Sequence, residues 1–132
     1  MTRREDRRVA IDILYQADIT DVSPTSVITD WRRAGREVPA FAEELAAGVA
    51  DKLPDIDLLL ETHAEGWTVR RMASLDRTIL RVGVYELLWR DDVPTSVAIS
   101  EAVEAAAELS AADAKRFVNG VLGRIARDEG VA

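Results

Sequence analysis

This chain predicts an all-α fold, a compact bundle of about seven helices, and three observations carry that reading. Apolar residues recur at helical spacing almost from end to end, and residues that start or stop helices punctuate them at regular intervals. No run of period-two alternation is bounded by hairpin turns, so strand signals are absent. The links between helices are short, which favours antiparallel neighbours in one bundle.

The elements follow in order. Val9, Ile13 and Ala17 form one row and Ala10 and Leu14 an adjoining row, so residues 4–19 read as an amphipathic helix ending before Thr20-Asp21-Val22-Ser23-Pro24. A shorter helix runs from Thr25 to Arg33 and is closed by Gly35. Pro39 suits the first turn of a helix from Ala40 to Leu53, where Phe41, Leu45, Val49 and Leu53 recur at four-residue spacing until Pro54 stops them. Asp55 is placed to cap the next helix, which carries Ile56, Leu59 and Leu60 towards Gly66 and Trp67. From Ser74 to Arg90, Leu75, Ile79, Leu80, Val82, Val84, Leu87 and Leu88 spread over more than one face, so this helix belongs at the centre of the bundle. Tyr85 and Glu86 within it read as structural groups that need internal hydrogen bonds. After the break at Asp91-Asp92-Val93-Pro94, Thr95 or Ser96 caps a helix through Leu109. Ser110-Ala111-Ala112-Asp113 resembles a capping box with Asp in place of Glu, opening a last helix whose Val118, Val121, Leu122 and Ile125 form a packing stripe.

Composition narrows the function classes. With 132 residues, 48% of them hydrophobic, the chain reads as a single domain over residues 1–132 with enough apolar material for a core. No stretch approaches ~20 uninterrupted apolar residues, so a soluble, cytoplasmic protein without membrane contact is expected. The chain has no cysteine, which excludes disulfides, thiolate metal sites and cysteine nucleophiles. His63 is the lone histidine and reads as a surface or boundary residue, so neither a zinc site nor a Ser-His-Asp arrangement assembles. The glycines never form a phosphate-cradling loop, and the carboxylates sit on helix faces beside arginines. No catalytic residues, metal or cofactor are expected, and the chain does not read as an enzyme.

The net charge of −7 would repel a polyanion at long range, so any nucleic-acid site must be local. Arg3, Arg4, Arg7 and Arg8 offer one, as a basic stripe at the start of the first helix, although positive charge there opposes the helix dipole. The second candidate is Asp113-Ala-Lys115-Arg116-Phe117-Val-Asn119-Gly120, which brings an acid and an aromatic beside cations. That combination suits gripping an unstacked base and its phosphate, whereas periodicity alone makes Phe117 a packing residue and Asp113 a capping acid.

Three segments together resemble, in order and spacing, the NusB family of transcription antitermination factors. They are Asp76-Arg-Thr-Ile-Leu-Arg-Val-Gly-Val-Tyr85-Glu86-Leu87, then Val93-Pro94 followed by Val97-Ala-Ile-Ser-Glu101-Ala-Val, then Lys115-Arg-Phe117-Val-Asn119-Gly120-Val-Leu122. The arginine-rich start and Ile13-Leu14-Tyr15-Gln16 match the family's first helix, so the resemblance spans essentially the whole chain. It implies two small helical subdomains side by side and an RNA-binding protein without catalysis. Such proteins pair with NusE, which is also the small-subunit ribosomal protein S-ten, and the pair recognises boxA RNA in ribosomal RNA leaders. With other Nus factors it then helps the RNA polymerase elongation complex read through terminators. Carried over by position, Arg3, Arg4, Arg7 and Arg8 would grip the RNA backbone, with Lys115 beside them on the RNA face. Asp113 and Phe117 would meet bases, while Tyr15 and Asp76 match positions of the NusE contact and the neighbouring RNA edge. A homodimer is also known among such proteins.

This chain departs from the pattern in ways that make its RNA face less basic. Thr95 and Ser96 follow Val93-Pro94 where relatives carry an aromatic and a basic residue, and Ala107 stands where lysine is common. RNA binding is therefore expected to be weak alone and strengthened by a basic partner. The competing reading is a helical protein–protein adaptor whose arginines do no RNA work. The same helical module also occurs in ribosomal RNA cytosine methyltransferases, but 132 residues leave no room for their cofactor domain.

Overall fold

The computed structural model describes residues 2–131, so Met1 and Ala132, the ends of the predicted domain, lie outside the described residues. The elements are α1 (Arg3–Thr20), α2 (Pro24–Arg33), α3 (Ala40–Asp51), α4 (Leu53–His63), a 3-10 turn (Val69–Arg71), α5 (Ser74–Trp89), α6 (Thr95–Leu109) and α7 (Ala114–Asp128). The predicted all-α bundle of seven helices is the fold observed, with no strand among the described residues.

Local chemistry sets the helix ends. The Thr2 hydroxyl accepts from the Glu5 N–H at 3.1 Å, and the Glu5 carboxylate accepts from the Thr2 N–H at 3.3 Å, a reciprocal box that starts α1. Glu5 and Asp6 in that first turn offset the unfavourable placement of the arginines against the helix dipole. Asp21 ends α1 in the left-handed region at φ 55°, and Ser23 caps α2 by accepting from the Ser26 N–H at 3.1 Å. Three expected caps differ. The break between α3 and α4 falls at Lys52, and Pro54 sits in the first turn of α4, where its missing N–H costs no helical bond, so Asp55 is not a cap. Pro94 precedes α6, and neither Thr95 nor Ser96 bonds back to it. Ser110 does not cap α7, because its hydroxyl donates to the Asp76 carboxylate and α7 begins at Ala114 without a side-chain cap.

Helices α1–α3 pack on one another and α4–α7 form a second group, the two subdomains side by side sharing one continuous core. Helix α5 is the common member, contacting α1 and α3 on one side and α4, α6 and α7 on the other. Its wide apolar surface is accounted for by that position: Ile79, Leu80, Val82 and Val84 are all buried. Gly83 permits a close approach, since a Cβ there would stand 2.8 Å from Leu122 and 3.3 Å from Ala102. Facing it, α6 buries Ala98, Ala102, Ala105 and Ala106, and α7 buries Val118, Val121, Leu122 and Ile125. On α3, Gly48 receives the ring of Tyr85, which a Cβ would overlap. His63 is buried rather than at a boundary, with Nδ1–H donating to the Leu59 carbonyl and Nε2 2.8 Å from Asp128, so it fastens the end of α4 to the end of α7.

Candidate nucleic-acid interface

The first helix divides its arginines between surface and interior. Arg4 lies outside and reaches across to α6, where Nε and Nη2 donate to Glu101 at 3.2 and 2.7 Å. Arg3 donates to Asp92 at 2.7 Å and lies 4.2 Å from the ring centre of Phe41, while Arg8 donates to Glu108 at 3.3 Å. These contacts show in the electrostatics. The hydrogen bond from Arg4, reinforced by the field of Arg7 and Arg8, holds the Glu101 carboxyl below its ordinary range despite partial burial. Asp92, bonded by Arg90 and Arg3, is held well below the carboxylate range.

Arg3 and Arg4 are exposed, whereas Arg8 is mostly covered, with both terminal nitrogens out of solvent, and Arg7 is buried. At helical spacing it shares a row with Ala10, Ile11 and Leu14, which is the buried face of α1. Its side chain is 6% exposed, and Nε and Nη2 donate to Glu86 on α5 at 2.8 Å each. Burial works against its charge, but the bonds and field of Glu86, helped by Glu101, more than offset that and raise its pKa. The stripe of four arginines expected from sequence is therefore divided: Arg3 and Arg4 lie on the surface, Arg8 is mostly covered beside Glu108, and Arg7 is an internal anchor. Glu86 was the available signal: a carboxylate amid an apolar helix demands a buried cation.

The last helix meets the 3-10 turn across a cleft of about 490 Å³. Asp76, Asp113 and Phe117, separated in sequence, all line it. Phe117 is half-buried, packing on the core while also lining the cleft. Asp113 is exposed, and its carboxylate has no hydrogen-bond or ion-pair partner among the described residues. Asp76 is oriented by the Ser110 hydroxyl. Lys115 and Arg116 are exposed at the start of α7, outside the cleft lining.

Sequence reasoning passed over two residues of this cleft, Trp67 and Arg71. The Trp67 ring meets Phe117 edge-on, with centroids 6.4 Å apart at 65°. A tryptophan just beyond a helix end and followed by Arg70-Arg71 was the available signal, but it lies where the apolar period has stopped.

Tyr15 stands apart from both regions. It is exposed one turn from exposed Ile19, with exposed Val22 beyond the end of the helix. A shallow cleft of about 230 Å³ borders this stretch, lined by Leu14, Ala17, Val22, Pro24, Val49 and Leu53 among others. No helix is long and apolar enough to cross a membrane, and no cluster of metal-ligating side chains occurs among the described residues.

The model of the family described as "NusB family" matches residues 4–127 of this chain. The transcription antitermination protein NusB of Thermobifida fusca is 50% identical over 126 residues, covering 94% of this chain and 88% of that protein. The structure of T. maritima NusB superimposes with a TM-score of 0.86 at 30% identity, covering 97% of this chain and 92% of that one. A structure of antitermination factors NusB and NusE in complex with dsRNA shares the fold with a TM-score of 0.82 at 24% identity, covering 97% of this chain and 99% of that one.

Proposed function

Because this chain belongs to the NusB family, we propose that it is a transcription antitermination factor, not an enzyme, that binds boxA RNA of ribosomal RNA leaders together with NusE. Residues 1–132 act as one RNA-binding domain in the cytoplasm. The NusB–NusE–dsRNA assembly of the similar structure supports the choice of partners. The observation that carries the reading is the convergence of Asp76, Asp113 and Phe117 on one cleft, which the sequence alone scatters over two helices and a loop.

In this reading the RNA backbone runs along Arg3, Arg4 and Lys115, whose cations suit phosphate oxygens, and Arg8 adds its charge from just beneath the surface. Arg7 keeps that edge in place from inside. An unstacked base lies against Phe117, and Asp113 accepts from its amino group. Tyr15, with the apolar strip beside it, meets NusE, and Asp76 lies where the RNA edge and the partner contact adjoin. The loaded pair then joins the RNA polymerase elongation complex with other Nus factors, and a homodimer is an alternative assembly of the free protein.

The adaptor reading has one observation in its favour: Arg3, Arg4 and Arg8 are already paired with acids of the same chain. Binding of boxA and scrambled RNA, with and without NusE and over a range of salt, separates the two. RNA recognition predicts a boxA preference, tighter binding with NusE and a loss with Phe117→Ala. An adaptor predicts no preference at moderate salt and no effect of replacing Arg8.

A further inference from the structure

We propose that Trp67 and Arg71 complete a site for one unpaired nucleobase that carries an exocyclic amino group, with Trp67 as its stacking platform. The proposal rests on the RNA-binding reading and adds an aromatic wall and a base preference to it.

Trp67 is 51% exposed, an unusual position for a large apolar ring with no covering element. Its surroundings are nevertheless built. The Trp67 N–H donates to the Ala64 carbonyl at 2.9 Å, and two residues on, the Val69 N–H donates to Glu61 at 3.0 Å. Arg77 Nη1 donates to the Val69 carbonyl at 3.1 Å, and Val69 and Met72 are both buried. The segment holding the indole is thus pinned at its backbone and anchored by apolar side chains on either side of Arg71, so the exposed ring springs from a held backbone and meets Phe117.

Edge-on at 65°, Trp67 and Phe117 make a corner rather than a closed stack. A planar base fits such a corner with its face on the indole and one edge towards the phenyl ring. The charged groups among the remaining, otherwise apolar lining suit a nucleotide: carboxylates of Asp76 and Asp113, and the guanidinium of Arg71. Arg71 and Asp113 have no side-chain partner among the described residues, so neither must give up an internal bond to engage a ligand. Carboxylates accept only, so they favour a base edge with an amino group and disfavour uracil, whose polar edge presents two carbonyls to one N–H. Arg71 is placed to meet the phosphate of the same nucleotide.

The test uses the complex with NusE and a single-stranded boxA RNA oligonucleotide. Trp67→Ala is expected to weaken binding about ten- to a hundred-fold, in line with loss of one base–aromatic stack, and Trp67→Phe to retain most of the affinity. Indole fluorescence gives a second readout, because Trp31 is buried and Trp89 half-buried. RNA should quench the wild type, and that quenching should vanish in Trp67→Phe. Single replacements by uracil should then reveal one amino-bearing position that matters in the wild type and not in Trp67→Ala. If Trp67→Ala binds like the wild type while Phe117→Ala weakens binding, the platform role is wrong and the RNA-binding reading stands. Quenching that persists in Trp67→Phe also refutes it. If the wild-type complex does not distinguish boxA from scrambled RNA, both fall.

Discussion

Along the first two turns of α1 every arginine meets a carboxylate of its own chain, whereas Arg71 and Asp113 in the cleft beside α7 meet none. Both regions belong to the proposed RNA surface, but they present different chemistry. At the arginine edge an incoming phosphate must displace Glu101, Glu108 or Asp92, so part of each new ion pair goes to replacing an old one. In the cleft, the exposed face of Trp67 and the free carboxylate of Asp113 gain contacts without losing any. The difference assigns positioning and salt dependence to the edge, and base preference to the cleft. It also fits the proposed role, in which a protein with net charge −7 engages RNA together with a partner.

The sharpest way to break this comparison is within the edge itself. Arg7→Ala should lower stability by roughly 3 to 5 kcal/mol in chemical denaturation, because it strands the buried Glu86 carboxylate. Arg4→Ala should cost much less, because Arg4 itself is exposed and the mostly buried Glu101 keeps Arg7 at 3.6 Å. Equal losses would mean that interior and surface arginines are not distinct. Phe117→Ala should weaken boxA binding by about 1 to 3 kcal/mol and leave the salt dependence of what remains nearly the same. A drop in the slope instead would place Phe117 with the charges. Glu104→Gln with Glu108→Gln should raise RNA affinity by less than about tenfold and steepen the log–log salt slope by at most ~0.7 per phosphate newly contacted. No gain would show that the acids of α6 do not compete with RNA.

Acid gives the smallest effect. Glu101 titrates lower in the folded protein than in the unfolded chain, so its stabilising pairing with Arg4 is complete above its ordinary value of 4.5 and is lost as pH falls through the depressed folded value. NMR titration of the Glu101 carboxyl should give a midpoint below 4.5 in the wild type that moves up in Arg4→Ala. A midpoint that stays put would remove Arg4 as the cause.

Helix positions were legible because proline, glycine and apolar spacing act locally, so every helix was anticipated within a few residues. Caps were less so. Ser110 had two partners within reach in principle, a backbone N–H of its own segment from which its hydroxyl would accept and a carboxylate on α5 to which it donates, and only folding brings the second one close. Arg7 was misplaced for a related reason: charge argued for the surface and helical phase for the interior, and the deciding group, Glu86, is 79 residues away. Phe117 and Asp113 were found from one helix, but the cleft they line needed a wall from another part of the chain. Trp67 was invisible to periodicity because the turn that carries it has no period.

The alanine face of α6 separates two kinds of inheritance. Ala98, Ala102, Ala105 and Ala106 fix how near α6 lies to its neighbours, so that face tolerates little enlargement. The opposite face, with Glu104 and Glu108 exposed, touches no core at all. Substitutions there can drift towards neutral or basic residues one at a time while the interior stays as it is. A lineage can thereby retune how firmly its antitermination factor holds RNA, and how much it depends on its partner, without rebuilding the fold.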